Sequence, residues 1–174
     1  KTDMQVHQPG IYNFIVTAPG LTSATTGPHS ITVADDESDI IASTFDPTDN
    51  IPYQNYQSSD ITGIGTGSIK VAEFILRDGG NATDADGTET SLSSITFGLT
   101  NDINLRQIAI YDGTNFIASE TATSGVQFTG IGTIIAADNG QSTFSVYVSF
   151  EDVVTDNVNF KISITAATAA GSTF

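Results

Sequence analysis

The sequence predicts an all-β protein, an immunoglobulin-like antiparallel β-sandwich preceded by the terminal strands of a second β-sandwich. Apolar residues alternate with polar ones at period two along most of the chain, as in strands with one buried face. No window of a dozen residues repeats them cleanly at helical spacing. Gly, Asp and Asn interrupt the alternation at short intervals, which places turns between many short strands. At 174 residues the chain has room for one core of ordinary size and part of another.

The first 34 residues carry strand patterns only at 10–17 and 29–33. Two strands are marginal in water by themselves, so residues 1–34 read as the C-terminal strands of a truncated immunoglobulin-like domain. The run Ala34-Asp-Asp-Glu-Ser-Asp39 breaks the alternation, and residues 35–39 read as a short acidic linker. Residues 40–174 then form the sandwich domain. It opens with a short strand at 40–42 and an irregular stretch over 46–60 holding Pro47, Pro52, Tyr53 and Tyr56, where proline implies an edge or a loop.

Strands are clearer from Ile69 onward. Phe74 and Leu76 precede Asp78-Gly79-Gly80, and Ile95, Phe97 and Leu99 alternate with Thr96 and Gly98. Ile108 and Ile110 lead into Asp112-Gly113-Thr114-Asn115, with Phe116 and Ala118 returning, which is hairpin chemistry. A second hairpin is expected where residues 131–136 run into Asp138-Asn139-Gly140 and Phe144, Val146, Val148 and Phe150 come back. Phe160, Ile162 and Ile164 complete the set. Only two facing sheets bury so many alternating residues at once.

Twenty Asp and Glu against five Lys and Arg give a net charge of −15, which opposes nucleic acid and anionic headgroups and favours hard cations. No apolar run approaches the roughly 18 residues of a membrane helix. Cysteine is absent, so thiolate chemistry and disulfides are excluded. The two histidines, His7 and His29, both precede the sandwich domain, which therefore has no histidine-based catalytic triad. Trp is also absent, and no enzymatic activity is expected.

Three groups of residues are candidates for binding. Asp78, Asp84, Asp86 and Glu89 lie in a Gly-containing loop between strands, where acids two apart can curl around Ca²⁺. Position 82 is Ala and position 93 is Ser, so the loop departs from an EF-hand pattern, and a solvated turn is the alternative reading. Asp35, Asp36, Glu37 and Asp39, with Asp60, form a second acidic group for an ion at the linker, against simple solvation. Tyr53 and Tyr56 are the candidate ligand-binding pair, against a role in tying down their loop. Lys161 is out of phase with the apolar residues around it and faces water. Lys70 shares the phase of Phe74 and Leu76 at the start of its strand, where it can snorkel outward or form a Lys-to-Asn crosslink. Asn81-Ala82-Thr83 is a nominal glycosylation acceptor.

The stretches Val71-Ala-Glu-Phe-Ile-Leu-Arg-Asp-Gly-Gly80, Asp84-Ala-Asp-Gly87, Leu92-Ser-Ser-Ile-Thr-Phe97, Arg106-Gln-Ile-Ala-Ile-Tyr-Asp-Gly113, Ala137-Asp-Asn-Gly140 and Phe144-Ser-Val-Tyr-Val-Ser-Phe150 follow one another in order. Together they resemble a tandem repeat of giant Bacteroidota cell-surface adhesins of the flavobacterial gliding-motility type. The resemblance covers roughly residues 36–174. It implies type IX secretion and an extracellular place at the cell surface, with outer-membrane attachment through other parts of the protein and neighbouring tandem domains as partners. The function expected on this basis is a stalk segment in adhesion or gliding motility, with compact sandwiches joined by very short linkers. The competing expectation is a module that binds surface polysaccharide or protein through residues 46–60.

Overall fold

The computed structural model describes residues 10–12, 15–16, 24–25, 27, 29–31, 37–65, 67–79, 87–170 and 174. The chain divides into two compact units, Lys1–Asp35 and Asp36–Phe174. In the first, β1 (Gly10–Tyr12) pairs antiparallel with β4 (His29–Ile31), and β2 (Ile15–Val16) with β3 (Ala24–Thr25).

The described residues of the second unit form β5 (Ser38–Ala42), β6 (Ile69–Asp78), β7 (Thr90–Thr100), β8 (Leu105–Asp112), β9 (Asn115–Thr121), β10 (Gly125–Thr129), β11 (Ile135–Ala136), β12 (Gln141–Phe150) and β13 (Lys161–Ala170). Two single turns of 3₁₀ helix, Tyr53–Asn55 and Asp102–Asn104, are the helical elements among the described residues. One antiparallel sheet runs β5-β6-β12-β8-β9. In the other, β7 is central. β13 and β10 pair with the same β7 residues, so they lie on opposite edges of it, and β11 continues the β10 edge at Thr90 and Ser91.

The fold is an all-β sandwich. Its core is the set of alternating residues read from the sequence: Phe74, Leu76, Ile95, Phe97, Leu99, Ile108, Ile110, Phe144, Val146, Val148 and Phe150 are all buried. Phe97 meets Phe74 of the facing sheet edge-on at 6.1 Å between ring centroids, and meets Phe128 at 5.8 Å. Phe74 stacks on Phe144 at 5.4 Å across the β6–β12 pair. Such aromatic pairs add to the area they bury and fix the spacing of the sheets. A second small cluster, Ile61, Ala109 and Tyr111 with Tyr147, lies outside this core and packs Ile61 against the five-stranded sheet.

Four expectations need correction. The strand β5 begins at Ser38, so Ser38 and Asp39 belong to the sheet rather than to the linker; Asp39 pairs with Arg77 across the β5–β6 ladder. On an edge strand a carboxylate can point to water and still find a cation, which offsets its low strand propensity.

The Asp112-Gly113-Thr114-Asn115 turn does close the β8–β9 hairpin, with Gly113 at φ 55°. The Asp138-Asn139-Gly140 turn closes no hairpin, because β11 pairs with β7 while β12 pairs with β6 and β8. It is an arch between the sheets. Turn chemistry dictates a reversal but not which sheet receives the returning strand.

Lys70 does not share the face of Phe74. Lys70 pairs with Tyr147 and Ala72 with Val146, leaving Val71 as a bulged extra residue. A bulge inverts the side-chain phase, so Val71 turns into the core and Lys70 reaches Glu73 on the outer face. Finally, β13 continues past Ile164 to Ala170, with a bulge that turns Ala167 and Ala169 toward the core.

If the Phe97 contacts organise the core, Phe97→Ala should lower unfolding stability by about 3–5 kcal/mol in urea titrations. The same change at Phe116, which is 39% exposed, should give less than half that loss.

Candidate functional site

Of the four residues expected to hold calcium, Asp78 and Glu89 are described and Asp84 and Asp86 lie outside the described residues, as do Asn81-Ala82-Thr83 and the linker acids Asp35 and Asp36. Asp78 is 7% exposed at the end of β6. Its Oδ1 accepts from Thr90 Oγ1, and its Oδ2 accepts from the Asn139 backbone N–H at 2.9 Å. Thr90's single proton is thereby used, so in the 2.6 Å contact with Ser38 the serine is the donor. The Asp78 N–H donates to Gly140 O at 3.0 Å, and Gly140 N–H to Ala137 O at 2.7 Å. Asp78 therefore binds β6, β7 and the arch together, and through Thr90 it reaches β5. Glu89 is exposed. Among the described residues no three His, Cys, Asp or Glu side chains are grouped to hold a metal ion.

At the opposite end of the sandwich lies an open groove of about 750 Å³. One wall is Pro47–Ile51 with Tyr53, the other the 154–160 loop, and Val71, Phe150 and Ile162 form the floor. Of the candidate pair, Tyr53 lines this groove. Tyr56 does not; both tyrosines are half-buried against the core, and the Tyr56 carbonyl accepts from the Phe150 N–H at 2.8 Å. Both thus anchor the irregular stretch, and Tyr53 alone also borders open space.

Sequence reading missed the asparagines that build this end. Asn104, buried, brackets the far wall: its Nδ2 donates to Thr155 O and its Oδ1 accepts from Thr155 N, both at 2.8 Å. Asn101 Nδ2 donates to Asn159 O at 2.8 Å. All four described non-glycine residues with positive φ are asparagines, and three of them, Asn50, Asn101 and Asn157, line the groove. Asparagine tolerates this left-handed backbone better than other side chains. A signal was present in the sequence: Thr-Asp-Asn occurs at 48–50 and again at 155–157, one copy on each wall.

On the outer face of the five-stranded sheet, Glu73 accepts from Lys70 and, at 2.6 Å, from Ser43 Oγ. Lys70 Nζ also lies 4.2 Å from the Phe45 ring centroid. Lys70 is thus held by an ion pair and an aromatic face. The hydrogen bonds from Lys70 and then Ser43 hold the Glu73 carboxyl below its ordinary value. Lys161 is exposed. Arg106 joins β8 to the 151–152 corner, donating to Glu151 at 3.2 Å and Asp152 at 2.8 Å and to the Gln57 carbonyl at 2.9 Å.

No protein-family model and no curated protein matches the chain. No helix among the described residues is long and apolar enough to cross a membrane.

Replacing Asp78 by Asn puts an amide where two donors converge, and should lower stability by about 1–3 kcal/mol. Urea denaturation with calcium and with chelator should give the same loss if these two protein donors alone hold the carboxylate. Glu73 contributes stability that is present above its unfolded pKa and lost as pH falls through its lower folded pKa. The stability gap between the native chain and Glu73→Gln should therefore hold near neutrality and narrow below about pH 4.5, its ordinary value; equilibrium unfolding between pH 7 and pH 3 measures it.

Proposed function

We propose that the chain is a structural display segment of an extracellular surface adhesin, in which the sandwich over 36–174 is a lobe held at one end. The observation that carries this is where the unit's first and last strands stop. Ser38, the first residue of β5, hydrogen-bonds Thr90, and Ala170, the last of β13, pairs with Ser91. The start of β5 and the end of β13 therefore both lie at the Asp78 end. The loops that build the groove gather at the other end, about ten strand residues or ~33 Å away.

This geometry changes how such a unit serves a filament. An in-line stalk element would add its strand length to the reach of the chain. A unit with adjacent termini adds little reach and projects its far end sideways. It suits presentation more than extension. The net charge of −15 suits such a setting, because it makes neighbouring copies repel one another. The resemblance of its ordered motifs to Bacteroidota adhesin repeats suggests the setting, with type IX export and tandem neighbours as parts of the proposal.

Force direction tests the arrangement. Pulling through handles at Glu37 and Ala170 peels β5 and β13 from their neighbours one hydrogen bond at a time. Pulling through Glu37 and Asn157 loads the β5–β6 ladder along its length. The absence of native cysteine lets both pairs be introduced cleanly. Optical-tweezer unfolding should occur at lower force for the first pair, and the reverse order would restore the in-line stalk.

A further inference from the structure

We propose that the groove at the free end of the sandwich binds a neutral oligosaccharide chain. Its rim carries asparagine side chains, each offering one carbonyl acceptor and an amide donor, together with the carboxylates of Asp49 and Asp156. Vicinal sugar hydroxyls, each a donor and an acceptor, match that set. Asn50, Asn157 and Asn159 are exposed, while Asn101 and Asn104 spend their amides fixing the wall. The groove is built from two kinds of asparagine, one holding the loop and one facing solvent.

The floor suits the same ligand. Val71, Phe150 and Ile162, with the half-buried rings of Tyr53 and Phe160 at the sides, offer apolar surface to the C–H faces of sugar rings. A few precisely placed polar groups above an apolar base is the usual composition of small-ligand sites, and 750 Å³ lies within their usual range. Charge decides the class of sugar. Among the described residues Lys161 is the one cationic side chain lining the groove, against Asp49 and Asp156, so phosphorylated or uronic chains meet net repulsion and neutral ones do not.

A further feature favours binding here: the wall is fixed before any ligand arrives, by the paired bonds between Asn104 and Thr155, so little ordering is left to oppose association. A single shallow groove of this kind binds weakly, and repetition along a filament would multiply its effect.

The test is an NMR titration of the full chain with linear neutral hexasaccharides, namely β-1,4-glucan, β-1,3-glucan, α-1,4-glucan, β-1,4-mannan and β-1,4-xylan. An alginate hexamer and an uncharged Gly/Ser/Thr dodecapeptide serve as comparisons. At least one neutral sugar should shift the amides of residues 48–53, 101–104 and 155–160 saturably, with a dissociation constant below about 10 mM, and alginate should not. Asn50→Gly and Asn157→Gly keep the positive φ at no steric cost while deleting the amide; together they should weaken binding at least about tenfold, with Tm unchanged. Absence of saturable shifts from every neutral sugar would overturn the assignment, as would equal shifts from alginate, or binding indifferent to both substitutions. A peptide that shifts these amides at lower concentration than any sugar would assign the groove to a peptide instead. Binding is read on the chain itself, so this result is independent of the force measurement.

Discussion

A buried carboxylate sets the geometry of this sandwich. Asp78 sits where β6 ends, with one oxygen on a β7 hydroxyl and the other on the arch that carries the chain between sheets. Withdrawing a charge from water is unfavourable unless donors replace the hydration, and here two donors from separate elements do so. Charge-assisted bonds of this kind are stronger than neutral ones. The result is a pinned end, to which Ser38 adds the first strand through Thr90. Everything distinctive about the unit follows from that end being closed and the other open.

The two ends divide the work. At the pinned end the polar groups are consumed by one another, and the first and last strands of the unit stop there. At the open end amides join the Arg106 ion pairs in tying the loops down: Asn104 to Thr155 and Asn101 to Asn159. An amide both donates and accepts, so one side chain can clamp a backbone segment from two sides. Between the ends the sheets are held by interlocked phenylalanines. Side-chain hydrogen bonds thus hold the outer loops in place, and the same type of residue that clamps those loops is available on their rim.

Much of the sandwich was legible in the sequence. Period two marked the buried residues of β6, β7, β8 and β12, and the Asp-Gly turn marked the β8–β9 hairpin. What escaped was non-local. Whether Asp138-Asn139-Gly140 makes a hairpin or an arch depends on which sheet has an edge waiting, and no local pattern encodes that. The bulge at Val71 inserts one residue without altering composition, and so Lys70 was assigned to the wrong face. The alanines of β13 are too small to register as a strand. At the groove, tyrosines and clustered acids stand out by residue type, while asparagines do not. The repeated Thr-Asp-Asn was equally visible, but its meaning depends on residues more than a hundred positions apart lining one groove.

The spacing of the ends is the most direct test. Spin labels at Glu37 and Ala170, introduced into a chain that has no cysteine of its own, report that spacing by pulsed electron resonance, with Glu37 and Asn157 as the reference pair. Termini pinned beside Asp78 give the first pair a separation clearly shorter than the second, which should approach the ~33 Å length of a ten-residue strand. A 37–170 distance equal to or longer than the 37–157 distance would mean that the strands end on opposite sides and that the lobe does not exist.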